Sequence, residues 1–166
     1  MTNWNDIVRE HGPTAYRVAW RILGHPQDCE DVVQEVFIET YHSFNRREVK
    51  YWPAFLNRLV TFRALDALRR RKQVGVLDDE LVYDSSPGPE EAAIYREEER
   101  RLRAAVAELP DRQAAVFCLA YFEQLSHQEI AAALDITRNA VANAFHKARA
   151  HLRESLSTGP REEPRQ

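Results

Sequence analysis

The stretch SHQEIAAALDITRNAVANAFHKARAHL, residues 126–152, decides the fold of the second half of this chain. Its first letters, SHQE, have the spacing of a capping box, in which a Ser hydroxyl and a Glu carboxylate each satisfy a backbone N–H at a helix start. We expect a short helix that ends near Leu134, a tight turn at DIT, and a second helix from Arg138 to about Leu156, capped by Thr137. A short capped helix, a three-residue turn and a longer helix predict a helix-turn-helix.

The second helix of such a motif lies in the major groove of DNA. Arg and Asn side chains can read base edges with paired hydrogen bonds, whereas Lys mainly attracts phosphates. The outward side chains of the predicted helix, which we expect to contact DNA, are Arg138, Asn139, Asn143, His146, Lys147 and Arg149. The same helix geometry also occurs in purely structural bundles, so a structural role stays open at this point.

Outside this stretch, apolar residues recur at helical spacing along most of the chain. The predicted helices are 3–23, kinked or split at Gly12-Pro13, then 28–44, 53–71, 90–109 and 111–123. The chain has only five Gly and shows no alternating runs of β-branched residues, which argues against a sheet. The sequence therefore predicts an all-α protein of two small helical domains joined by a linker.

The linker is predicted from a change in composition. The segment QVGVLDDELVYDSSPGP, residues 73–89, holds two Gly, two Pro, two Ser and four acids without a sustained period. The predicted parts are a first helical domain over 1–73, an acidic flexible linker over 74–89, a helix-turn-helix domain over 90–156 and a disordered tail over 157–166.

Charge is segregated along the chain although its net value is only −3. Residues 46–72 carry nine Lys or Arg against two acids, and residues 78–99 carry nine acids against one Arg. Local sign matters more than the total for a polyanionic partner. A basic surface with interleaved Tyr51, Trp52 and Phe62 suits a nucleic-acid strand whose bases stack on aromatic rings, although Trp52 and Phe62 also fit a core.

Several classes of protein are disfavoured by the sequence. Cys29 and Cys118 belong to no CxxC motif, and we expect both to be reduced thiols in the core. The six His show no metal-ligand spacing, and no phosphate loop or nucleophile motif is present, so we expect no enzyme, metal or cofactor. No signal peptide and no long apolar run is seen, which predicts a cytoplasmic protein.

Three segments together resemble a known family: DCEDVVQEVF at 28–37, WPAFLNRLVTFRALDALRRRK at 52–72, and LPDRQ at 109–113 leading into the helix-turn-helix. They are similar to the bacterial RNA polymerase sigma factors of the extracytoplasmic-function (ECF) group. The resemblance covers about residues 5 to 156. It implies a first domain that binds the polymerase clamp helices and melts the −10 element. The second domain would bind the β flap and read the −35 element.

The resemblance also implies roles for individual residues. Those facing the polymerase clamp would be Asp31, Gln34, Glu35 and Phe37. Those at the −10 strand would be Asn45, Arg46, Arg47, Lys50, Tyr51, Arg58, Thr61, Phe62, Arg69 and Arg70. The outward residues of the helix-turn-helix would meet the −35 duplex. Core RNA polymerase, promoter DNA and an anti-sigma factor are the partners that the family implies.

The chain departs from the family pattern at several positions. Phe62 replaces a usual Asn at the −10 surface, and Asp135 and Gln124 replace usual glycines. In the second helix of the motif, Ala142 and Ala144 replace a usual Lys and Arg. We expect the loss of two cations there to weaken DNA binding and to flatten its dependence on salt.

Two other functions fit parts of the sequence. A helix-turn-helix regulator would need only the second half, and the acidic helix at 28–44 argues against it. A sigma-like adaptor without promoter activity of its own would explain the missing cations. A stable complex with core polymerase would distinguish a sigma factor from a regulator. Transcription from specific start sites would distinguish a sigma factor from an adaptor.

Overall fold

The computed structural model describes residues 3–46, 48–74 and 89–158, and within these ranges the chain forms seven helices and no strand. The helices are α1 (Trp4–Leu23), α2 (Pro26–Phe44), α3 (Trp52–Val74), α4 (Pro89–Ala107), α5 (Asp111–Tyr121), α6 (His127–Leu134) and α7 (Arg138–Ser157). The prediction of an all-α fold is confirmed, and each helix expected from the sequence is found with small shifts at its ends.

Helix α1 is continuous through Pro13, so the expectation that it could be split there was wrong. A proline inside a helix removes one backbone hydrogen bond and crowds the preceding turn. Here Pro13 faces solvent, while Ile7 in the turn before it and Ala15 and Val18 after it are buried on the same side of the helix. Burial of one apolar stripe on both sides of the proline keeps the two segments in a single helix.

The first half of the chain is a three-helix unit in which α1 packs against both α2 and α3. Its core is made of fully buried aliphatic side chains, among them Ile22, Val36, Val60, Leu65 and Leu68. Helix α1 ends at Gly24, which has a left-handed φ of 61° and donates its N–H to the carbonyl of Trp20 at 2.7 Å. This conformation ends α1 and lets the chain turn directly into α2.

Helix α5 is the centre of the second half, as its sequence predicted. Residues 114–119 are all buried, and α7 packs along one side of them. Val116 and Leu119 of α5 join Ile130 of α6 and Val141 and Ala144 of α7 in a separate small core. This core fixes the angle between the two helices of the motif.

The two halves pack against each other and share one larger core. Buried residues of α1, α2 and α3 are in the same apolar cluster as Val106, Leu109, Phe117, Ala148 and Leu152 of the second half. The proposed domain boundaries remain predictions. Residues 75–88 and 159–166, which hold most of the predicted linker and tail, lie outside the described residues.

Candidate functional site

The acidic side of α2 is exposed, as the sequence suggested. Asp31, Gln34 and Glu35 all face solvent, and Gln27 donates to the Asp31 carboxylate at 3.2 Å. Phe37 does not belong to this surface. It is 9% exposed and meets the Trp4 ring edge-on with centroids 6.0 Å apart, so its apolar ring contributes to the core and not to a binding face.

Two apolar side chains extend this acidic surface and were missed from the sequence. Ile38 is 53% exposed and lies one turn beyond Gln34 and Glu35 on the same side of α2. Tyr41 is 56% exposed, and the centre of its ring lies 5.3 Å from that of Trp4. A large aliphatic side chain exposed beside carboxylates is typical of an interface centre with a polar rim.

The acidic helix and the basic helix partly neutralise each other. Arg71 of α3 forms an ion pair with Asp28 of α2, and Arg63 pairs with Glu39 at 2.5 Å. The hydrogen bond that Arg63 donates to the Glu39 carboxylate raises the pKa of Arg63. Asp31 and Glu35 lie between Asp28 and Glu39 along α2, and both are exposed. Their carboxylates therefore remain available to a partner.

The residues expected at the −10 strand fall into four groups. Exposed ones surround the start of α3 and its outer side: Asn45, Arg46, Lys50, Tyr51, Arg58 and Arg70. Phe62 is half-buried and packs on the main core, and Thr61 is 1% exposed, so in this conformation neither presents its side chain freely to a strand. Arg47 lies outside the described residues.

Arg69, the remaining residue of that set, is occupied by the second half of the chain. Its guanidinium donates to the carbonyls of Ala107 at 3.2 Å and Leu109 at 2.9 Å and pairs with Asp111. Lys72, one turn later, donates to the carbonyl of Ala104 at 3.3 Å and pairs with Glu108. The end of α3 is therefore covered by the last turn of α4 and the connection that leads into α5.

Trp52 and its neighbours settle the choice between core and stacking surface that the sequence left open. Trp52 meets Phe55 edge-on at 5.8 Å and Phe44 at 6.0 Å, and all three pack against the main core. Tyr51, the residue before α3, is 65% exposed. It is thus the aromatic ring of this set that is available to stack on a base.

The helix-turn-helix is formed as the sequence predicted. Ser126 and Glu129 make both hydrogen bonds of the capping box, at 3.1 and 2.7 Å, and the Thr137 hydroxyl accepts from the N–H of Ala140 at 3.1 Å. Asp135 ends α6 in the left-handed conformation with φ 55°, so aspartate does replace glycine in the turn. These caps fix where α6 and α7 begin.

The outer side of α7 is polar and exposed. Arg138, Asn139, Asn143, His146 and Lys147 all face solvent. Arg149 is also exposed, but it lies at the edge of this side, with its guanidinium 5.7 Å from the centre of the Phe145 ring.

One expectation about α7 was wrong. Ala144 is 6% exposed and packs in the small core of the motif, so a cation at this position would not reach DNA from the α7 of this structure. Ala142 is exposed, and it is the position where the sequence has lost a surface cation.

A groove of about 1600 Å³ runs between the two halves, on the side of α1, α4 and α7. Aromatic rings of Trp20, Tyr95, Tyr121 and Phe122 contribute to its wall. Six arginines line it against two glutamates, Glu98 and Glu99: Arg17, Arg21, Arg101, Arg103, Arg149 and Arg153. The groove therefore combines apolar surface with a positive rim.

Within the described ranges, no group of three His, Cys, Asp or Glu side chains is placed to hold a metal ion. The same residues include no helix that is long and apolar enough to cross a membrane.

Comparison with known proteins matches both halves to one family. Residues 7–74 match Sigma-70 region 2, and residues 99–152 match Sigma-70, region 4. The chain is 30% identical to the RNA polymerase sigma-E factor of Streptomyces coelicolor, over 94% of this chain and 87% of that protein. It is 32% identical to the ECF RNA polymerase sigma factor SigE of Mycolicibacterium smegmatis, over 95% of this chain but only 63% of that longer protein.

Two solved structures share the fold at low sequence identity. CnrH, in complex with the cytosolic domain of CnrY, aligns with a TM-score of 0.60 and 20% identity over 93% of this chain and 87% of CnrH. The sigma factor RpoE of Bartonella quintana, in complex with the anti-sigma factor NepR, aligns with a TM-score of 0.56 and 16% identity over 93% and 96%. With both regions matched in order on one chain, this protein belongs to the sigma-70 family of bacterial RNA polymerase sigma factors, in its extracytoplasmic-function group.

Proposed function

We propose that this chain is an alternative sigma factor, which binds core RNA polymerase and directs promoter-specific initiation by recognising −35 DNA and opening −10 DNA. The observation that carries the proposal is the presence of two unlike surfaces on one small protein. One is the exposed acidic side of α2, and the other is the polar outer side of α7 in a capped helix-turn-helix. A regulator that binds DNA through the motif alone has no use for the first surface.

The polymerase surface consists of Asp31, Gln34 and Glu35, with the exposed Ile38 one turn beyond them. An apolar side chain surrounded by acids suits a basic partner helix, because the aliphatic contact supplies burial while the carboxylates set register and association rate. The clamp helices of polymerase are the partner that the family implies. The second domain would bind the β flap at the same time, which brings α7 to the −35 duplex.

The polymerase surface is tested by charge reversal. Asp31→Lys and Glu35→Lys together should abolish stable binding to core polymerase, because they turn attraction into repulsion within the interface. Both side chains are exposed, so helical content should not change. The matched control is Glu10→Lys with Glu154→Lys, exposed positions on α1 and α7 that carry the same change of net charge.

Core binding is measured by comigration of labelled protein with polymerase on size exclusion. Loss of comigration in the α2 variant and not in the control supports the proposed surface. If the α2 variant comigrates with polymerase as the wild-type protein does, the acidic side of α2 is not the polymerase-binding surface.

The −10 contact would be made at the start of α3 and along its outer side. Arg46, Lys50, Arg58 and Arg70 offer exposed cations for the phosphates, and exposed Tyr51 offers a ring for an unstacked base. Capture of flipped bases would stabilise the open strand without any bond being made or broken. The role is thus one of binding, and the polymerase supplies the phosphodiester chemistry.

The −35 contact would be made by α7. Arg138, Asn139 and Asn143 can read base edges, and His146 and Lys147 lie on the same exposed side near the backbone. Arg149 would contribute from the edge.

The groove between the halves is the surface that we assign to an anti-sigma partner. Its apolar wall and its excess of arginines favour an amphipathic helix with an acidic face. Replacing two rim residues, Arg17→Glu and Arg153→Glu, should release a partner that copurifies with the wild-type protein. Undiminished copurification would place the anti-sigma contact elsewhere.

A further inference from the structure

The outer side of α7 carries two amide side chains one helical turn apart. Asn139 and Asn143 are four residues apart, so they share one side of the helix and lie about 6 Å apart along its axis. Both are exposed, and within the described ranges neither amide makes a hydrogen bond to another residue. By contrast, the amide of Gln124 donates to the carbonyl of Tyr121 at 2.9 Å. The two amides of α7 therefore keep both donor and acceptor available to a ligand.

The fold holds these two positions where the second helix of the motif would read DNA. Base contacts of a helix-turn-helix come from the N-terminal turns of that helix. Asn139 is the second residue of α7 and Asn143 the sixth, and the Thr137 hydroxyl caps the same end by accepting from the N–H of Ala140. Val141, midway between the two amides in sequence and on the opposite side of the helix, is fully buried. This anchor prevents α7 from rotating the amides away from its outer side.

An asparagine amide distinguishes adenine from guanine in the major groove. The amide has one acceptor oxygen and one NH₂ donor. Adenine presents an acceptor at N7 beside a donor at N6, whereas guanine presents two acceptors, N7 and O6. On adenine both amide groups are paired, while on guanine the amide oxygen faces O6 without a hydrogen bond. Each exposed amide of α7 is therefore a reader that favours adenine.

The cations of α7 lie beside this pair of amides. Arg138 is five residues from Asn143, which places it about 140° away around the helix. Arg149 lies at the edge of the outer side, with its guanidinium 5.7 Å from the centre of the Phe145 ring. Lys147 follows Asn143 by one turn, and lysine acts on phosphates as a point charge. Base discrimination by this helix therefore falls to the amides, and attraction to phosphates falls to the cations.

We propose that Asn139 and Asn143 set the base preference of the −35 element, each pairing with the major-groove edge of one adenine. Their separation of about 6 Å along the helix corresponds to about two base-pair steps of about 3.4 Å. The two adenines therefore lie within about two steps of each other. This inference rests on the proposed function, since it concerns the −35 contact of α7 and names the bases that the contact selects.

The test uses the full-length chain assembled with core polymerase. The probe is a pool of duplexes derived from one promoter fragment with a mapped start site, in which random base pairs replace the −35 element. Fragments that the assembled protein retains are sequenced. Their base frequencies, relative to the starting pool, give the base preference at every randomised position.

Two single variants each remove one amide: Asn139→Ala and Asn143→Ala. Both positions are exposed, so the helical content should not change. A third variant, Asn143→Arg, replaces the amide by a guanidinium, which pairs with N7 and O6 of guanine. The matched control is Asn5→Ala, which removes an exposed amide from α1.

We expect the wild-type chain to prefer adenine over guanine about tenfold at two positions, as one bidentate pair provides at each. Each alanine variant should lose this preference at one position and retain it at the other. Asn143→Arg should exchange adenine for guanine at the position that Asn143→Ala relaxes. The control should match wild type. A merely structural role of the amides would change the amount of DNA retained but not the identity of the preferred base.

Two results would overturn the inference: alanine variants that keep the wild-type base preference, whether or not they retain less DNA, or an Asn143→Arg variant that still selects adenine. The failure of the proposed function would look different. A wild-type chain that prefers no base at any position contradicts the −35 contact itself, and the inference with it. A base preference that does not depend on the two amides removes the inference alone.

Discussion

Gln124 and Asp135 adopt left-handed backbone conformations, with φ of 56° and 55°, at the two turns that frame α6. Glycine takes this conformation without a side-chain clash, and aspartate tolerates it better than glutamine does. Gln124 recovers part of the cost because its side chain donates to the carbonyl of Tyr121 at 2.9 Å. The usual glycines of the family at these two turns are thus replaced by Asp135, which tolerates the left-handed conformation, and by Gln124, which is strained in it.

We predict that Gln124→Gly raises the free energy of unfolding by about 0.5–1 kcal/mol, since relief of the left-handed strain outweighs one exposed hydrogen bond. The matched control is Ala132→Gly, at an exposed helical position of α6, which should lower it by about 1 kcal/mol. Urea titrations measure the free energy of unfolding of both variants. Equal losses of stability in the two variants would contradict the account of the turn.

The two cysteines are buried thiols, and their chemistry follows from burial. Desolvation raises the pKa of Cys29 to about 11 and that of Cys118 to about 12. Because the thiolate is the reactive form, both should be protonated and slow to react at pH 8. We predict negligible labelling by a disulfide reagent in the native protein and two equivalents in guanidinium. Fast labelling of the folded chain would mean that one of these sites opens to solvent.

At the scale of the element, two alanines of α7 that look equivalent in the sequence differ in burial. Ala142 is exposed beside the residues proposed to read DNA, whereas Ala144 is packed in the core of the motif. We predict that Ala142→Lys tightens duplex binding and steepens its salt dependence by about one phosphate contact. Ala144→Arg should instead destabilise the motif by about 1–3 kcal/mol, because it overpacks that core.

Filter binding of promoter DNA at several salt concentrations, with thermal melts of both variants, checks this pair. A gain of affinity from Ala144→Arg without a loss of stability would show that the buried position does reach DNA.

Helix α2 shows the same separation of faces and explains an apparent conflict in the sequence. An acidic helix next to a basic one would repel the DNA that the basic one is meant to bind. The structure pairs Asp28 with Arg71 and Glu39 with Arg63, and it leaves Asp31 and Glu35 facing outward. Acid and base therefore stabilise the packing of α2 on α3, and the remaining acids are free for a basic partner.

At the scale of the whole molecule, helices and caps could be predicted from the sequence because their signals are local. The capping box at Ser126 and Glu129 and the periodicity of each helix depend only on near neighbours. The misplaced residues depend on contacts between elements. Phe37 is buried by Trp4 from another helix, and Arg69 is covered by a turn that lies 38 or more residues away. Spacing within one helix carries no information about such partners.

At the same scale, this small two-part protein should direct polymerase to promoters. The direct measurement is run-off transcription with purified core polymerase on fragments that carry start sites mapped after overexpression of the chain. We predict specific transcripts that require the wild-type protein and are lost with Asp31→Lys and Glu35→Lys together, while Glu10→Lys with Glu154→Lys retains them. Stable binding of the chain to core polymerase without any specific transcript would contradict the claim.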